Sequence, residues 1–411
     1  MSAMSPQLLV VFIAMMIGIH PIAIDLFLPG LSALTRDLHT SVAQAQLTLT
    51  GLLLPFGLSQ LVWGPLSDRF GRKPVLLVGL AGFTVAAVAC ALTPTIEALL
   101  AWRSFQGAAM GAIVMSGRAV LRDGFEPAEA VRVMSRAQTG LGVIACVGPL
   151  AGGLLAEYFG WRWALALIAG YGAMALALVA LRFRETLPRE RRAPLHPVDQ
   201  ARNWVTVLRH PTFLTWSLLS LMTFAGLVTF LTASPFLFTE VLGLSRMQFG
   251  LAVFSMSVCY LAGTFLCRRL LARFDLRKTV AIAGALSLAA GTLMGLFTLA
   301  GLVSLWTLLP PFWVYAMGHG IHQSCGQAGA VSPFPRMAGA ASAMNGVLMM
   351  SGAFLIGGWM GRHMDGTVTP MAYGIWLWSV LLAVVAWTLV QRHGEVREGR
   401  DQGEPREVPI A

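Results

Sequence analysis

The chain has 411 residues, and only 12% of them are charged, against the roughly 25% that is typical of soluble domains. Hydrophobic residues make up 56%, which excludes a disordered chain and a soluble enzyme of this size. The composition therefore predicts a polytopic helical membrane protein, and the net charge of +10 concerns its orientation in a membrane rather than nucleic acid.

Uncharged stretches locate the spans, because a helix needs about 20 apolar residues to cross the hydrocarbon layer. Nine stretches of at least 19 uncharged residues, each bounded by charged residues at both ends, predict ten spans, since the longest, 279–335, holds two spans and a turn near Gly301. Two more spans carry one charge each, 7–30 with Asp25 and 98–117 with Arg103. The segment 7–30 lacks a basic start and a small-residue cleavage site, so we interpret it as the first of twelve spans rather than as a signal peptide.

The basic residues lie mainly on one side of this arrangement. The even-numbered loops and the C-terminal tail hold 24 of the 29 Lys and Arg residues, and the odd-numbered loops hold four. Because basic residues favour the cytoplasmic side, both termini are predicted in the cytoplasm, as in a multi-pass protein of a bacterial-type inner membrane.

The longest hydrophilic stretch between spans lies near the midpoint of the chain. It predicts an N-terminal six-helix bundle at 1–182, a cytoplasmic linker at 183–210, a C-terminal six-helix bundle at 211–391 and a disordered tail at 392–411. The end of the linker, around Trp204, could form a short interfacial helix. The five cysteines show no pairing pattern, so we expect buried thiols without a disulfide framework or a metal site.

Asp25 is the acidic residue of the first span. An ionised carboxylate there costs roughly 2.5–3.5 kcal/mol, and a group that alternates between protonated and charged forms suits a proton-coupling site. Alternatively, Asp25 is hydrated at the outer end of its helix or caps the following loop. His20 lies about 140° around the helix from Asp25, so the two are not expected to share a face.

The loop after the second span combines glycines with charge, in the order Gly64-Pro-Leu-Ser-Asp68-Arg69-Phe-Gly71-Arg72-Lys73-Pro74. Gly64 would let helices approach closely, and Gly71 permits a tight turn. Asp68 can face a helix N-terminus, whose dipole favours an anion. A degraded copy follows the eighth span about half a chain length later, which indicates a tandem repeat of six spans.

The fourth and fifth spans carry two further patterns. Arg103 stays charged at physiological pH, so it must face a wet cavity or a carboxylate, or else reach the membrane interface. Gln106 lies one turn away on the same face. In the fifth span, Gly148 and Gly152 form a contact face for another helix. Pro149, which precedes Gly152 and Gly153 in that span, bends the helix.

A polar stripe in the tenth span contains His319, His322 and Gln323. It is predicted to line a cavity, where it could bind substrate or carry protons. The alternative is that helix packing satisfies these groups, and the same two interpretations hold for Asn345 in the eleventh span.

These stretches together resemble the major facilitator superfamily. The 64–74 loop resembles its motif A, the stretch 103–111 its motif B, and the stretch 140–153 its motif C, which marks antiporters. With Asp25-Leu-Phe-Leu-Pro29, the stretch 232–238 and the stretch 338–346, the chain resembles the Bcr/CflA branch of drug:H+ antiporters. The resemblance implies the major facilitator fold, an all-α membrane protein with twelve transmembrane helices in two six-helix pseudo-symmetric bundles.

The resemblance also implies proton-driven efflux of small, often amphipathic compounds by alternating access. Asp25 would exchange a proton, and Arg103 would stabilise its charged form. The motif A residues would latch the cytoplasmic side of the outward-facing state; they are Gly64, Asp68, Arg69, Gly71 and Arg72, with Asp123 as their partner. The predicted substrate cavity comprises Gln106, Phe236, His319, His322, Gln323 and Asn345.

No enzyme or ATP-binding motif occurs in the sequence, so we expect a transporter and not an enzyme. Its expected partners are a small-molecule substrate, protons and the lipid bilayer, without nucleic acid, and we expect a monomer. No cofactor and no metal are expected, because the proton gradient would drive transport. Alternative functions are export of a metabolite such as a nucleoside or amino-acid derivative, symport, and a non-transporting membrane receptor.

Overall fold

The computed structural model describes residues 6–124, 127–192 and 196–395. This part of the chain contains no β-strand, and twelve of its helices have 19 residues or more. They are α1 (Pro6–Asp25), α2 (Val42–Phe70), α3 (Arg72–Leu92), α4 (Ile96–Gly124), α5 (Pro127–Tyr158), α6 (Trp161–Arg182), α7 (Pro211–Phe236), α8 (Arg246–Leu271), α9 (Leu276–Leu299), α10 (Leu305–Val331), α11 (Ala338–His363) and α12 (Thr369–Trp387). Each predicted span corresponds to one of these helices, so the all-α prediction is confirmed.

Nine spans in the described part of the chain are long and apolar enough to cross a membrane on length and composition alone. The described apolar part of α5, Gly142–Tyr158, is shorter than such a span, and α4 and α10, with 29 and 27 residues, are less apolar. These helices carry many of the polar and glycine-rich stretches that the sequence singles out. The lower apolarity of α4 and α10 therefore accompanies candidate functional residues such as Arg103 and His319.

Several boundaries differ from those expected. α1 ends at Asp25, before the predicted limit of 30, and the chain continues through a 3-10 turn at Leu28–Gly30 and a short helix at Leu31–Asp37. α4 continues past 117 to Gly124, because the charge of Asp123 near its end is paired with Arg72.

The remaining connections agree with the sequence more closely. Gly301, in the turn between α9 and α10, has a φ of +70°. The predicted linker helix is present at Pro197–Leu208. A further helix at Leu389–His393 covers the start of the predicted tail, and the tail from 396 onward lies outside the described residues.

The two sets of six helices pack in the same order. In the first set, α1 packs on α4 and α5, α2 packs on α4, and α3 packs on α4 and α6. In the second set, α7 packs on α10 and α11, α8 packs on α10, and α9 packs on α10 and α12. The two sets contact each other through α2 against α11 and α5 against α8, which a twofold axis between the halves would exchange. The fold is therefore two pseudo-symmetric six-helix bundles.

Successive long helices cross the bundle in opposite directions, so the molecule has two ends. One end holds the start of α1, the end of α2 and the start of α3, and we call it the terminal face because the described N-terminal helix begins there. The opposite end, where α1 finishes at Asp25, is the distal face. The helix Pro197–Leu208 lies at the terminal face, where it joins the two halves.

Glycine sets the spacing of α2 and α4. A Cβ atom at Gly107 would overlap the backbone carbonyl oxygen of Leu52, and one at Gly111 would overlap the Ser59 hydroxyl. A backbone carbonyl cannot move aside as a flexible side chain can. Gly107 is therefore required for the contact between these helices.

We expect Gly107→Ala to lower the thermal unfolding midpoint of the detergent-solubilised protein, because the added methyl group forces α2 and α4 apart. The overpacking should cost about 1–3 kcal/mol. Gly170→Ala in α6 is the matched control, since nothing lies within 4 Å of the added Cβ atom. Equal unfolding midpoints for the two variants would contradict this account of the contact.

Candidate functional site

Arg103 lies inside the first bundle, where its side chain is completely buried. Its Nε donates to the carbonyl oxygen of Thr48 in α2 at 3.0 Å, and Nη2 donates to the carbonyl oxygen of Ala23 in α1 at 2.9 Å. Nη1 donates to Gln106 Oε1 at 2.8 Å, and the guanidinium lies 4.7 Å from the ring centroid of Phe27. Arg103 therefore joins α4 to the ends of α1 and α2.

These contacts differ from the interface position and from the carboxylate partner that were considered for Arg103. The side chain does not reach an interface, since none of it is exposed. It also makes no ion pair with Asp25 within the described residues. Backbone carbonyls replace the expected carboxylate because the last turn of α1, at Ala23, and the start of α2, at Thr48, present carbonyl oxygens within reach of the guanidinium.

Asp25 is the last residue of α1 and is partly exposed. In the described part of the chain, no hydrogen bond or ion pair of its carboxylate is observed. It packs against α5, where a Cβ atom at Gly148 would lie 3.1 Å from Asp25 Cβ. His20 instead stacks on Phe56 of α2, with ring centroids 5.1 Å apart. As expected, His20 and Asp25 therefore face different helices.

The glycine-rich stretch of α5 contacts two helices at once. On one face, a Cβ atom at Gly152 would overlap the carbonyl oxygen of Leu26, directly after Asp25. On the other face, Gly153 packs against α8, where its added Cβ atom would lie 2.9 Å from the Arg246 carbonyl oxygen. The carbonyl oxygen of Pro149 lies against Gly250 of α8. The end of α1 is thus separated from the second bundle by the width of one helix.

The histidines of α10 are held by packing within the second bundle. His319 Nδ1 lies 2.9 Å from the Thr223 hydroxyl of α7, and its ring lies 5.5 Å from that of Tyr260. His322 is fully buried beside the backbone of Ala283 in α9. Neither ring nitrogen of His322 has a hydrogen-bond partner in the described residues. The two rings thus face different helices rather than a shared cavity stripe; packing satisfies Nδ1 of His319, whereas the ring nitrogens of His322 stay unsatisfied in the described residues.

The other predicted cavity residues lie in three different places. Gln323 Nε2 and Asn345 Nδ2 both approach Met349 Sδ, at 3.7 and 3.8 Å, and their amide oxygens are buried without a partner in the described residues. Gln106 belongs to the Arg103 site instead. Phe236 ends α7 near the distal face and is buried in the core.

The motif A residues form a charge network around Arg72. Its Nε donates to Asp123 Oδ2 at 2.7 Å, and its Nη1 donates to Asp68 Oδ1 at 2.6 Å. The residue is only 4% exposed, so its charge depends on these two carboxylates. Gly71 has a φ of +104°, which favours glycine, as the sequence predicts.

Two predictions for motif A do not agree with the structure. A Cβ atom at Gly64 would lie 3.6 Å from Met115 Cε, an ordinary contact, so the helices there do not require glycine. Arg69 is exposed and lies 5.6 Å from the ring centroid of its neighbour Phe70, outside the Arg72 network. Consecutive residues of a helix point about 100° apart, so Asp68 and Arg69 do not face the same neighbour.

Glu185 was not identified from the sequence. It follows α6 and caps the start of α3, because its carboxylate accepts from the backbone N–H groups of Arg72 at 2.8 Å and Lys73 at 3.1 Å. Gly71, the residue before α3, has no side chain that could cap the helix. This is the sequence signal that could have indicated a cap from another segment.

Polar contacts between the halves, also not predicted, lie mostly toward the distal face. Arg36 pairs with Glu240 at 3.1 Å, and Gln46 Nε2 donates to the Thr232 carbonyl oxygen at 2.8 Å. The backbone N–H of Arg246 donates to Glu157 at 2.9 Å. The halves are therefore closed against each other at the distal face.

The terminal face is joined differently. Arg118 of α4 donates to the Ser342 hydroxyl of α11 at 3.0 Å. A cavity of about 70 Å³ lies between α2, α4, α11 and the helix Pro197–Leu208, and Gln60, Asp68, Trp204 and Gly339 are among its lining residues. The carboxylate of Asp68 thus faces a cavity that also reaches the start of α11.

Curated relatives of similar length carry names of drug-resistance proteins. The chain is 27% identical over 380 residues to a bicyclomycin resistance protein homolog of Haemophilus influenzae, covering 91% of this chain and 94% of that one. It is 29% identical over 351 residues to multidrug resistance protein D of Escherichia coli K12, covering 84% and 86%. A chloramphenicol resistance protein of Pseudomonas aeruginosa is 28% identical over 391 residues, covering 93% and 90%.

Solved structures of transporters share the fold at low sequence identity. A D-xylose–proton symporter superposes with a TM-score of 0.73 at 16% identity, covering 95% of this chain and 99% of that one. A bacterial homolog of the human lysosomal transporter Spinster, in an inward-facing conformation, gives 0.64 at 15% identity, covering 95% and 97%.

The family model that matches the chain spans residues 10–358, which covers both halves and every motif described above. Proteins of this family are transporters rather than enzymes. With twelve long helices in two pseudo-symmetric bundles, the chain is a multi-pass membrane protein that belongs to the Major Facilitator Superfamily.

Proposed function

We propose that the protein exports small drug-like compounds from the cytoplasm in exchange for protons. The relatives named for resistance to bicyclomycin, chloramphenicol and multiple drugs, each matched over more than four fifths of this chain, support drug efflux. Export and import are not distinguished by the fold, since a sugar–proton symporter shares it. The glycine-rich stretch of α5, which resembles the antiporter motif, favours export.

The position of Asp25 carries the proposal of proton coupling. Its carboxylate ends α1 beside Gly148, on the helix that packs against α8 of the other half through Gly153. A proton added or removed there changes the charge of a group next to the contact between the halves. The charge state of Asp25 can therefore bias how the two bundles rock, while substrate binding favours the deprotonated form.

Arg103 acts in this proposal as a positioning residue. It binds the backbone of α1 at Ala23, two residues before Asp25, and the backbone of α2 at Thr48. Its charge is thus used to hold the end of α1 in place. Asp25, without a cation bonded to it, can accept a proton more readily than an ion-paired carboxylate could.

The terminal face is proposed to be cytoplasmic, since 24 of the 29 Lys and Arg residues lie in the loops and tail on that side. Closure at the distal face then means closure toward the outside. The rocking units are proposed as residues 1–182 and 211–391, joined by the linker. The network of Arg72, Asp68 and Asp123 would rigidify the cytoplasmic end of the first unit.

Of the predicted substrate residues, Gln323 and Asn345 have the strongest structural support for a direct contact with the substrate. Both present buried amide oxygens without a partner in the described part of the chain, which a donor group on a substrate could satisfy. His319, whose Nδ1 meets the Thr223 hydroxyl, is assigned a structural role.

We expect Asp25→Asn to abolish transport driven by a proton gradient, because the amide cannot exchange a proton. In inside-out vesicles, the rate of ΔpH-driven accumulation of chloramphenicol and of ethidium should fall by at least about tenfold. This corresponds to a rise of about 1.4 kcal/mol in the activation free energy. Glu97→Gln is the matched control, because Glu97 is an exposed carboxylate near the distal end of α4. Full gradient-driven transport by Asp25→Asn would refute the coupling role, and loss in both variants would show a nonspecific effect.

A substitution of Arg103 distinguishes two possible roles of this residue, which are to hold the backbone of α1 and α2 in place or only to supply a positive charge. Arg103→Lys keeps the positive charge, but one ammonium cannot reach three separated acceptors, and an unsatisfied buried carbonyl costs about 1–3 kcal/mol. We therefore expect a lower thermal unfolding midpoint and reduced transport. Arg182→Lys, at an exposed position that ends α6, should behave like the wild type. If Arg103→Lys is as stable and active as Arg182→Lys, the positive charge alone is sufficient and the positioning role is wrong.

A further inference from the structure

Two cysteines that the proposed transport does not use lie in contact inside the second bundle. The Sγ atoms of Cys267 in α8 and Cys325 in α10 are 3.7 Å apart. Both are free thiols, and both side chains are at most 2% exposed. The other three cysteines, Cys90, Cys146 and Cys259, form no such contact among the described residues.

The contact follows from the close approach of α8 and α10. A Cβ atom at Gly263 would overlap the Met317 carbonyl oxygen, and one at Gly320 would lie 2.5 Å from the Tyr260 carbonyl oxygen. Gly263 precedes Cys267 by one turn, and Gly320 precedes Cys325 by just over one turn. Because the two backbones touch there, the thiols that follow on the facing surfaces are held together.

Buried apolar side chains pack around the two thiols. The two cysteines belong to a buried cluster with Trp216, Val280 and Ile321. The polar partner of each thiol in the described structure is the other thiol. A ligand that left a net charge on the pair would therefore be penalised, whereas a ligand that forms a neutral product would not.

We propose that Cys267 and Cys325 form a dithiol site for trivalent arsenicals. An organoarsenic oxide condenses with two thiols: two As–S bonds form, the bond between arsenic and oxygen breaks, and the two thiol protons leave with that oxygen as water. The oxidation state of arsenic is unchanged and the product is neutral. Trivalent arsenic is pyramidal and holds two sulfurs side by side, as these thiols lie, whereas a linear two-coordinate metal ion would force them apart.

The proposal predicts selective and tight binding, because the second As–S bond is intramolecular. The full-length protein, purified in detergent and reduced, is treated with phenylarsine oxide in the presence of excess glutathione. Intact-mass spectrometry should show one adduct equal to the reagent less one water. Maleimide labelling after denaturation should find two of the five cysteines protected, and 2,3-dimercaptopropanol should remove the adduct.

Single substitutions locate the site. Cys267→Ser and Cys325→Ser should each lose the glutathione-resistant adduct, while Cys90→Ser, at another buried cysteine, should keep it. Proteolysis of the wild-type adduct should recover arsenic on joined peptides that contain residues 267 and 325, a measurement that needs no variant. Absence of a resistant adduct in the wild type, or arsenic on any other pair of cysteines, would overturn the proposal.

Discussion

The contact between the glycine face of α5 and the end of α1 is the constraint on which the candidate site depends. At Gly152 the backbone of α5 lies so close to the Leu26 carbonyl oxygen that a methyl group would overlap it. The opposite face of the same turn touches α8 of the other half at Gly153. Small residues allow such approach in membranes, where helices gain little from the hydrophobic effect. As a result, a carboxylate that ends α1 lies within one helix width of the second bundle.

A second constraint acts on charge. Inside a membrane protein a buried guanidinium needs acceptors from the protein itself, and Arg103 obtains them from the backbone at Ala23 and Thr48. The charge of Arg103 therefore fastens α1 and α2 to α4 and leaves Asp25 without a bonded cation in the described residues. Arg72 shows the opposite solution at the terminal face, where two carboxylates satisfy a buried cation. In the proposed mechanism one arginine thus supports a site that changes its protonation, and the other supports a permanent charge network.

The sequence was sufficient for the fold because the bilayer imposes a length on every span. Uncharged stretches located ten of the twelve long helices, and two stretches with a single charge each located the others. The repeated loop pattern indicated the two halves. The glycine face of α5 was also predictable, since Gly148 and Gly152 share a helical face. The backbone partners of Arg103 in α1 and α2, the capping role of Glu185 and the contact of Cys267 with Cys325 were not predictable, because each joins segments distant in sequence. The motif led to a wrong prediction at Gly64, where an ordinary contact with the Met115 side chain is found instead of a close approach of two helices.

The central claim is that substrate binding removes a proton from Asp25. Infrared difference spectroscopy of the purified protein in lipid tests it most directly, because a protonated carboxyl group has a C=O stretch separate from those of carboxylates and amides. Addition of chloramphenicol to the wild type should produce a negative band in the protonated-carboxyl region, and the band should be absent from Asp25→Asn. The account is contradicted if the wild type binds chloramphenicol without losing this band, or if the same band is lost from Asp25→Asn.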